Sequence, residues 1–314
     1  MILPAASEIK KIDTDNIAVS AELDAIGFPV APGEDFTAYT KRVEGLLKFR
    51  EKVISDLQDT GYFELDKDFR LLAENLISDE IIDEAASITR LLYGFEVRWV
   101  PGFFLSQSLG LLWGGCSFSN SSNYLNVFLV RFAFATRMKW FLYRRDELIA
   151  HELCHAVRSR FDDNTYEEYF AYQTSPKVIR RYLGGCFRTR ADAIFFLVPI
   201  MVLLSAQIFT AVYGRVLFPI WPFWIFSSIY PAFLLIRNHF ERKYISRAAA
   251  KLKSIGVTKP LMVLFRATAG EIKYLSSCQS DEQVKAYISG LARHELRWQV
   301  ISWRFINGDS KHNG

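Results

Sequence analysis

The chain has 314 residues, of which 50% are hydrophobic and 23% are charged. This composition excludes a disordered protein, and the length is sufficient for one or two domains with a sizeable core. The formal net charge is only +4, and we expect no nucleic-acid partner.

The chain has 4 cysteines, with neither a C-x-x-C pair nor the spacing of a disulfide framework. So few cysteines are typical of a reducing compartment. The first ten residues, MILPAASEIK, are followed by charged residues from Lys11 onwards, and we therefore expect no N-terminal signal sequence. Any membrane segment is expected in the middle of the chain.

The first half of the chain predicts an α+β domain. Residues 34–59 and about 70–93 have apolar residues at helical spacing. Strand and turn residues follow in 97–100, 103–112 and 127–134. In the last of these ranges large apolar residues occupy every second position, which predicts a strand with one buried face. We expect an extended substrate to add beside this strand as an extra strand.

Two later segments, residues 193–213 and 216–236, contain no charged residue. Each is close to the roughly 20 residues that a membrane-spanning helix requires. Only Gly214 and Arg215 separate them, so we predict a tight transmembrane hairpin. Prolines within the second segment are tolerated in helices that lie in lipid.

Basic residues lie on both sides of this predicted hairpin. They are Lys177, Arg180, Arg181, Arg188 and Arg190 before it, and Arg237, Arg242, Lys243, Arg247, Lys251 and Lys253 after it. The positive-inside rule therefore places both soluble parts on the cytoplasmic side of an integral membrane protein. We predict a catalytic domain at 1–190, the hairpin at 191–237 and a helical cytoplasmic region at 238–314, in which Ser280 begins a capped helix that runs towards Ile306.

The segment DELIAHELCHAVR, Asp146 to Arg158, predicts a helix and contains the motif H-E-x-x-H. Residues four apart share one face of a helix, so His151 and His155 can bind one metal ion. Glu152 lies at the edge of that face, where it can take a proton from a metal-activated water without itself being a ligand. The motif therefore predicts a catalytic zinc site.

A catalytic zinc ion needs a third protein ligand. A short helix predicted over Thr165–Ser175 can return a carboxylate to the metal. We prefer Glu168 as this ligand, because it shares a helical face with Ala171, whose small side chain permits close approach to the first helix. Glu167 remains an alternative ligand.

The same two glutamates also fit capping boxes. Thr165 with Glu168, and Asn164 with Glu167, have the spacing in which a glutamate binds the backbone at the start of a helix. One glutamate can cap while the other binds the metal.

HELCH followed by EEYFA resembles the gluzincin group of metallopeptidases, in which a second helix supplies a glutamate from an E-x-x-A pattern. The resemblance covers residues 151–175 and implies zinc, with His151, His155 and Glu168 as ligands and Glu152 as general base. This chain has Tyr172 where an acidic residue often follows the alanine, and a shorter gap between the motifs than thermolysin-like enzymes. In CAAX-prenyl-protease-like enzymes membrane helices separate the two motifs, whereas here both precede the hairpin, so we do not assign the chain to that family.

Two further residues are candidates for the site. Tyr172 is a candidate stabiliser of the oxyanion that forms during amide cleavage. Cys116 is an alternative third ligand, since peptide deformylases combine an upstream cysteine with a similar histidine pair. The other deformylase signatures are absent from this sequence.

These observations predict a zincin-like α+β catalytic domain, with a small sheet and an active-site helix, tethered to a membrane. We expect a zinc-dependent endopeptidase that acts on peptides or membrane proteins near the cytoplasmic face of a lipid bilayer. The alternatives are a non-catalytic membrane adaptor with a structural zinc site and a deformylase-like amidohydrolase that uses Cys116.

Overall fold

A computed structural model of the chain describes residues 3–9, 16–67, 69–105, 110, 113–120, 124–161, 163, 165–213 and 219–306. This part of the chain is a mixed α+β structure dominated by helices. In chain order its α-helices are α1 Ala6–Ile9, α2 Ile17–Ala25, α3 Phe36–Thr60, α4 Asp79–Tyr93, α5 Arg145–Arg158, α6 Glu167–Tyr172, α7 Val178–Leu183, α8 Arg190–Tyr213, α9 Trp221–Ser254, α10 Pro260–Phe265, α11 Ala269–Ser277, α12 Asp281–His294 and α13 Leu296–Ile301.

The strands form three small sheets. They are β1 Tyr62–Asp66, β2 Phe69–Leu72, β3 Gly102–Leu105, β4 Gly115–Asn120, β5 Leu125–Arg131, β6 Lys139–Trp140 and β7 Tyr143–Arg144. β1 with β2, and β6 with β7, are antiparallel hairpins. The third sheet has the order β3-β5-β4, in which β3 runs parallel and β4 antiparallel to β5.

β5 is the central strand of its sheet and is buried on both faces. Phe128 and Val130 pack into the main core beside α5, whereas Leu129 belongs to a second cluster between the sheet and α3. The predicted strand is therefore present, but the prediction that only one of its faces is buried is wrong, and the strand ends at Arg131, before a 3-10 turn at Phe132–Ala135. Because both neighbours of β5 are occupied by β3 and β4, no substrate strand can add to it.

The predicted helices of the first half are partly correct. The helix predicted at 34–59 is α3, whose first turn is capped by the Asp35 carboxylate accepting from the backbone N–H of Ala38. The helix predicted from about residue 70 begins only at Asp79, because β2 and a 3-10 turn precede it. The two leucines of the short strand β2, FRLL, also fit the spacing of apolar residues in a helix.

The C-terminal helices share the main core with the N-terminal ones. The buried guanidinium of Arg266 lies 2.8 Å from Oδ1 of Asp24 in α2, and Arg304 pairs with the same carboxylate. Trp298 of α13 is fully buried. The predicted capped start at Ser280 is present, since its hydroxyl accepts from the backbone N–H of Gln283, but this helix ends at His294 and α13 is separate.

Among the described residues, α8 is the helix that is long and apolar enough to cross a membrane, over Ala191–Tyr213. Many of its large apolar side chains are exposed. α9 packs against α8, and Asp192 near the start of α8 accepts hydrogen bonds from Tyr230 and Arg237 of α9. The apolar start of α9 ends before Arg237, which leaves it shorter than a full span. Residues 216–218 of the predicted second span lie outside the described residues.

Candidate metal centre

Helix α5 carries the two histidines of the H-E-x-x-H motif. One face of this helix packs into the main core through Ile149, Leu153 and Ala156, which fixes its rotation. His151 and His155 then lie on a neighbouring face, one helical turn apart. Acidic residues in the first turn, Asp146 and Glu147, suit the positive end of the helix dipole.

The structure brings His151, His155 and Glu168 together. The Nε2 atoms of the two histidines are 3.1 Å apart. Oε2 of Glu168 lies 3.8 Å from Nε2 of His151, and its Oε1 lies 3.6 Å from Nε2 of His155. Two ligand atoms of a tetrahedral zinc ion, each about 2.1 Å from the metal, are separated by about 3.4 Å. The three side chains therefore fit a single zinc ion.

A buried ion pair shapes the loop that returns the chain from α5 to α6. Nη2 of Arg158, at the end of α5, lies 2.6 Å from Oδ2 of Asp163. The other oxygen of Asp163 accepts from the backbone N–H groups of Thr165 and Tyr166, at 3.0 and 3.2 Å. Asp163 therefore caps the turn before α6 and sets the rotation of that short helix.

The predicted Thr165–Glu168 capping box is not formed at the start of α6. The helix spans Glu167–Tyr172, shorter than the predicted 165–175, and its N-terminal cap at Tyr166 makes no side-chain hydrogen bond. Asn164 lies outside the described residues. Since Asp163 caps the turn, both glutamates are free to face α5, and fully buried Ala171 lies against α5 as expected.

Glu167 contacts the outer nitrogen of His155 rather than the candidate metal position. Its Oε1 lies 2.8 Å from Nδ1 of His155. A carboxylate in this position fixes the orientation of a histidine ligand and makes the other ring nitrogen a stronger electron-pair donor to a metal ion. Glu167 is therefore suited to support a ligand, whereas Glu168 is suited to be one.

The two histidines differ in their electrostatic surroundings. Burial and the charges of His155 and Arg180 lower the pKa of His151 well below its usual value. Burial also lowers the pKa of His155, but the hydrogen bond to Glu167 and the charges of Glu168 and Glu152 outweigh it and raise the pKa to about 9. The two histidines and the neighbouring carboxylates therefore favour one positive charge between the two Nε2 atoms. A bound cation would supply such a charge.

Glu152 lies between α5 and strand β4. Glu152 is 4% exposed. Burial, together with the nearby charge of Glu168, raises the pKa of its carboxyl group to about 7, although the charge of His155 and the neighbouring hydroxyl of Ser117 act in the opposite direction. A carboxyl group with such a pKa can both accept and release a proton near neutrality. Gly115 of β4 lies beside it, since a Cβ atom there would be 3.4 Å from Oε1 of Glu152.

Tyr172, the last residue of α6, borders the histidines. Its ring centroid lies 4.6 Å from that of His151, edge to face. Burial and the charge of Glu168 raise the pKa of its hydroxyl group, so this group remains a hydrogen-bond donor. The ring also lies against Gly184, where a Cβ atom would be only 2.1 Å from it. Arg180, which pairs with buried Glu147, approaches the same ring at 5.9 Å.

Helix α9 braces α6 from the side away from α5. The hydroxyl of Tyr166 donates to Oε2 of Glu241 at 2.6 Å, and the guanidinium of Arg242 lies 4.9 Å from the ring of Tyr169. α6 is thereby held between the helix that carries the histidines and the helix that continues from the apolar region.

Cys116 does not join the histidines. Among the described residues, the group of three or more potential ligand side chains that lie within reach of one ion is His151, His155 and Glu168. Cys116 lies beside Glu152 instead, and burial together with that carboxylate raises the pKa of its thiol to about 11. A neutral thiol is a poor metal ligand.

No protein-family model, curated protein or solved structure matches this chain. Assignment of a function therefore depends on the side chains themselves. The H-E-x-x-H motif and the return helix could be read from the sequence. The supporting roles of Asp163, Glu167 and Ser117 were missed, and the only signal for them was the polarity of those positions.

Proposed function

We propose that this chain is a membrane-anchored zinc endopeptidase with a zincin-like catalytic domain. The observation that carries the proposal is the convergence of His151, His155 and Glu168 within the spacing of one tetrahedral ion, beside the buried carboxylate of Glu152. His151, His155 and Glu168 would hold the zinc ion. Three ligands leave a fourth position for substrate or water, which is typical of catalytic rather than structural zinc.

Zinc in such a site supplies Lewis acidity, which acidifies water and polarises a peptide carbonyl. In the proposed reaction Glu152 accepts the proton of the attacking water on a carboxylate oxygen and then delivers it to the leaving amine. Ser117 and Gly115 of β4 lie beside this carboxylate and limit its movement. The hydroxyl of Tyr172 donates to the oxyanion of the tetrahedral intermediate.

Strand β4 is the proposed platform for the substrate backbone. It is an edge strand, since within the described residues its sheet continues only through β5. Its first residues, Gly115 to Ser117, lie next to Glu152. An extended peptide would pair with this edge through backbone hydrogen bonds, which would bring one of its carbonyl groups to the metal position. Such hydrogen bonds depend little on the side chains of the peptide. This replaces the strand at 127–134 as the site of strand addition.

The membrane anchor is proposed to be a helical hairpin of α8 and the apolar start of α9. α8 has the length and composition of a span, and its contacts with α9 through Asp192, Tyr230 and Arg237 hold the two together at one end. Basic residues flank both helices outside the apolar region. By the positive-inside rule the catalytic domain lies on the cytoplasmic side, so the expected substrates are peptides or membrane proteins near that surface.

The rival proposal, an adaptor with a structural zinc site, predicts a closed site with a fourth protein ligand. Three features favour the enzyme. Within the described residues no fourth ligand joins the group, and the side chain of Glu168 is 30% exposed, so a substrate can approach. Glu152, a buried carboxylate beside the metal position, also has no role in a structural site.

The test replaces Glu152 by Gln in the full chain, purified in detergent or reconstituted in vesicles. The enzyme proposal predicts that zinc content, measured by atomic emission, stays equal to that of the unsubstituted chain. It also predicts that cleavage of a peptide library or of co-reconstituted membrane proteins is lost by at least 10²-fold. Glu22→Gln, at an exposed position of α2, is the matched control and retains both zinc and cleavage.

Cleavage that survives Glu152→Gln would overturn the assignment of the general base. Zinc bound at full occupancy by a chain that cleaves nothing, with or without Glu152, would instead support the adaptor. The Glu152→Gln chain also serves to trap substrates, because it keeps the metal site and the β4 edge while the proton transfer is blocked.

A further inference from the structure

A patch of exposed apolar side chains lies beside the metal centre. It consists of Phe141 and Leu142, in the turn between β6 and β7, and Val178, Ile179 and Leu183 on one face of α7. These side chains are between 47% and 72% exposed. Nζ of Lys177 and Nη1 of Arg180 lie 3.3 and 3.2 Å from the carbonyl oxygen of Leu142, which holds the turn against the start of α7. We call these five residues the tip patch.

The turn that carries the tip patch has unusual residues for its geometry. Two-residue hairpin turns favour Asn and Gly, because their backbones adopt positive φ angles without strain. Here the two turn residues are Phe and Leu, and Phe141 has φ 49°. A bulky side chain in that conformation is strained, and packing offsets the strain only in part, since Phe141 is 61% exposed. Strain of this kind persists where an exposed side chain has a function.

Positive charge surrounds the tip patch. Residues 137–144 and 176–183 contain no acidic residue, and exposed Arg137, Lys139 and Lys177 form its rim; Arg144 is paired with Asp146. Trp140 and Tyr143 flank the two turn residues. A protein surface that lies in the headgroup region of a bilayer has apolar residues where it enters deepest, aromatic residues next to them and basic residues around them. The tip patch and its neighbours have this arrangement.

The tip patch is also continuous with the proposed anchor. α7 ends at Leu183, a 3-10 turn follows at Gly184–Cys186, and α8 begins at Arg190. Exposed Phe187 lies in the connection. The face of the domain that carries the tip patch is therefore joined to α8 without a long linker.

We infer that the tip patch docks on a lipid surface rich in anionic headgroups, with Phe141 and Leu142 inserted among the acyl chains. This inference rests on the proposed membrane anchorage and deepens it. The docked surface adjoins the metal centre, because Arg180 contacts the ring of Tyr143 at 4.4 Å and that of Tyr172 at 5.9 Å, and Tyr172 packs on His151. The metal centre is thereby held at the membrane surface, where the segments of membrane proteins that leave the bilayer are its nearest substrates.

The experiment uses the full chain with single new cysteines at two patch positions, Leu142→Cys and Ile179→Cys. Leu91→Cys is the matched control, because Leu91 is an equally apolar residue, 79% exposed on α4. Each is spin-labelled after reconstitution into vesicles of phosphatidylcholine, with and without phosphatidylglycerol. The unsubstituted chain, labelled in parallel, gives the background of its native cysteines, and circular dichroism checks the fold of each variant.

Docking predicts that labels at positions 142 and 179 collide more with oxygen, which concentrates in acyl chains, than with a water-soluble nickel complex. The label at 91 shows the opposite preference. Phosphatidylglycerol increases the difference, and the double substitution Lys139→Glu with Lys177→Glu reduces it.

Water-like accessibility at all three positions, in a chain that floats with the vesicles, overturns docking and leaves the anchor and the peptidase proposals intact. Spin–spin broadening between labels of two copies overturns it as well and assigns the tip patch to a dimer. A chain that does not float with vesicles at all overturns the anchor together with docking, while the metal-dependent cleavage assay in detergent remains independent of both.

Discussion

Nδ1 of His155 lies 2.8 Å from Oε1 of Glu167, while Nε2 of the same ring faces His151 and Glu168. Two adjacent glutamates of α6 therefore face different nitrogens of one imidazole ring. This division follows from the rotation of α6, since residues 167 and 168 are about 100° apart around a helix axis.

Substitution of Glu167 and of Glu168 by Gln should weaken zinc binding to different extents. Glu167→Gln removes the charge that supports His155, and loss of such a partner costs 10- to 100-fold in metal affinity by general experience. Glu168→Gln removes a ligand and should cost more. Competition with a chromophoric zinc chelator measures both, with Glu22→Gln as the control.

If Glu167→Gln lowered the affinity more than Glu168→Gln, their roles would be exchanged. Equal affinity in all variants would place the metal elsewhere.

Gly115→Ala should impair catalysis without removing zinc. A Cβ atom at this position would lie 2.8 Å from the carbonyl oxygen of Leu129 and 3.4 Å from Oε1 of Glu152, so β4 or the carboxylate must move. A displacement of about 1 Å can cost about 10²-fold in rate. The check compares the rate of peptide cleavage with zinc content in the same preparation.

The matched control is Gly270→Ala in α11, where a Cβ atom meets nothing within 4 Å. This change should leave cleavage unaffected and stabilise the helix slightly. An unimpaired Gly115→Ala enzyme would mean that Glu152 and β4 need not be close for catalysis.

The convergence of His151, His155 and Glu168 could be predicted from the sequence because two helices encode its geometry. His151 and His155 share a face in any α-helix, and Ala171 allows the return helix to approach. Strand β4 could not be predicted, since GCSFSN has mostly polar residues and is exposed at its far end. It is a strand because β5 offers an edge, and such pairing depends on tertiary contacts rather than on local propensity.

The long apolar segments could likewise be predicted from the sequence only in part. α8 satisfies the length and composition of a membrane span, as its sequence predicts. α9, in contrast, runs without a break from Trp221 to Ser254, because the charged residues after Arg237 are also good helix formers. The sequence therefore predicts the apolar part and a helical region after it, but not that the two form one continuous helix that reaches Tyr166 and braces α6.

Asp163→Ala should destabilise the fold by about 3–5 kcal/mol, because it leaves the buried guanidinium of Arg158 without its charge partner. The side chains of this pair are 1% and 4% exposed. Urea unfolding of the full chain in detergent, followed by circular dichroism, measures the loss. Metal affinity should fall as well, since the turn before α6 loses its cap.

Arg70→Ala is the control for this prediction. Arg70 pairs with Glu64 at 3.6 Å, and both side chains are more than half exposed, so loss of the pair should cost less than about 1 kcal/mol. Similar effects of both substitutions would show that the Arg158–Asp163 pair does not stabilise the return loop.

The pair of Asp24 with Arg266 should make stability depend on pH in the acid range. Burial alone would raise the pKa of Asp24, but the charges of Arg266 and Arg304 outweigh it and lower the pKa below 3.8. A carboxyl group with a lowered pKa in the folded state stabilises the fold at any pH above its unfolded value. That stabilisation is lost as the pH falls from about 4 through the folded pKa.

The stability difference between the unsubstituted chain and Asp24→Asn should therefore be constant near neutrality and shrink below about pH 4, where the native carboxylate becomes protonated as well. Urea unfolding at a series of pH values measures this difference. Glu64→Gln, at an exposed residue, should show no such change. A difference that grows as the pH falls would mean that Asp24 is protonated in the native state, and that α2 and α10 are joined by a neutral hydrogen bond instead of an ion pair.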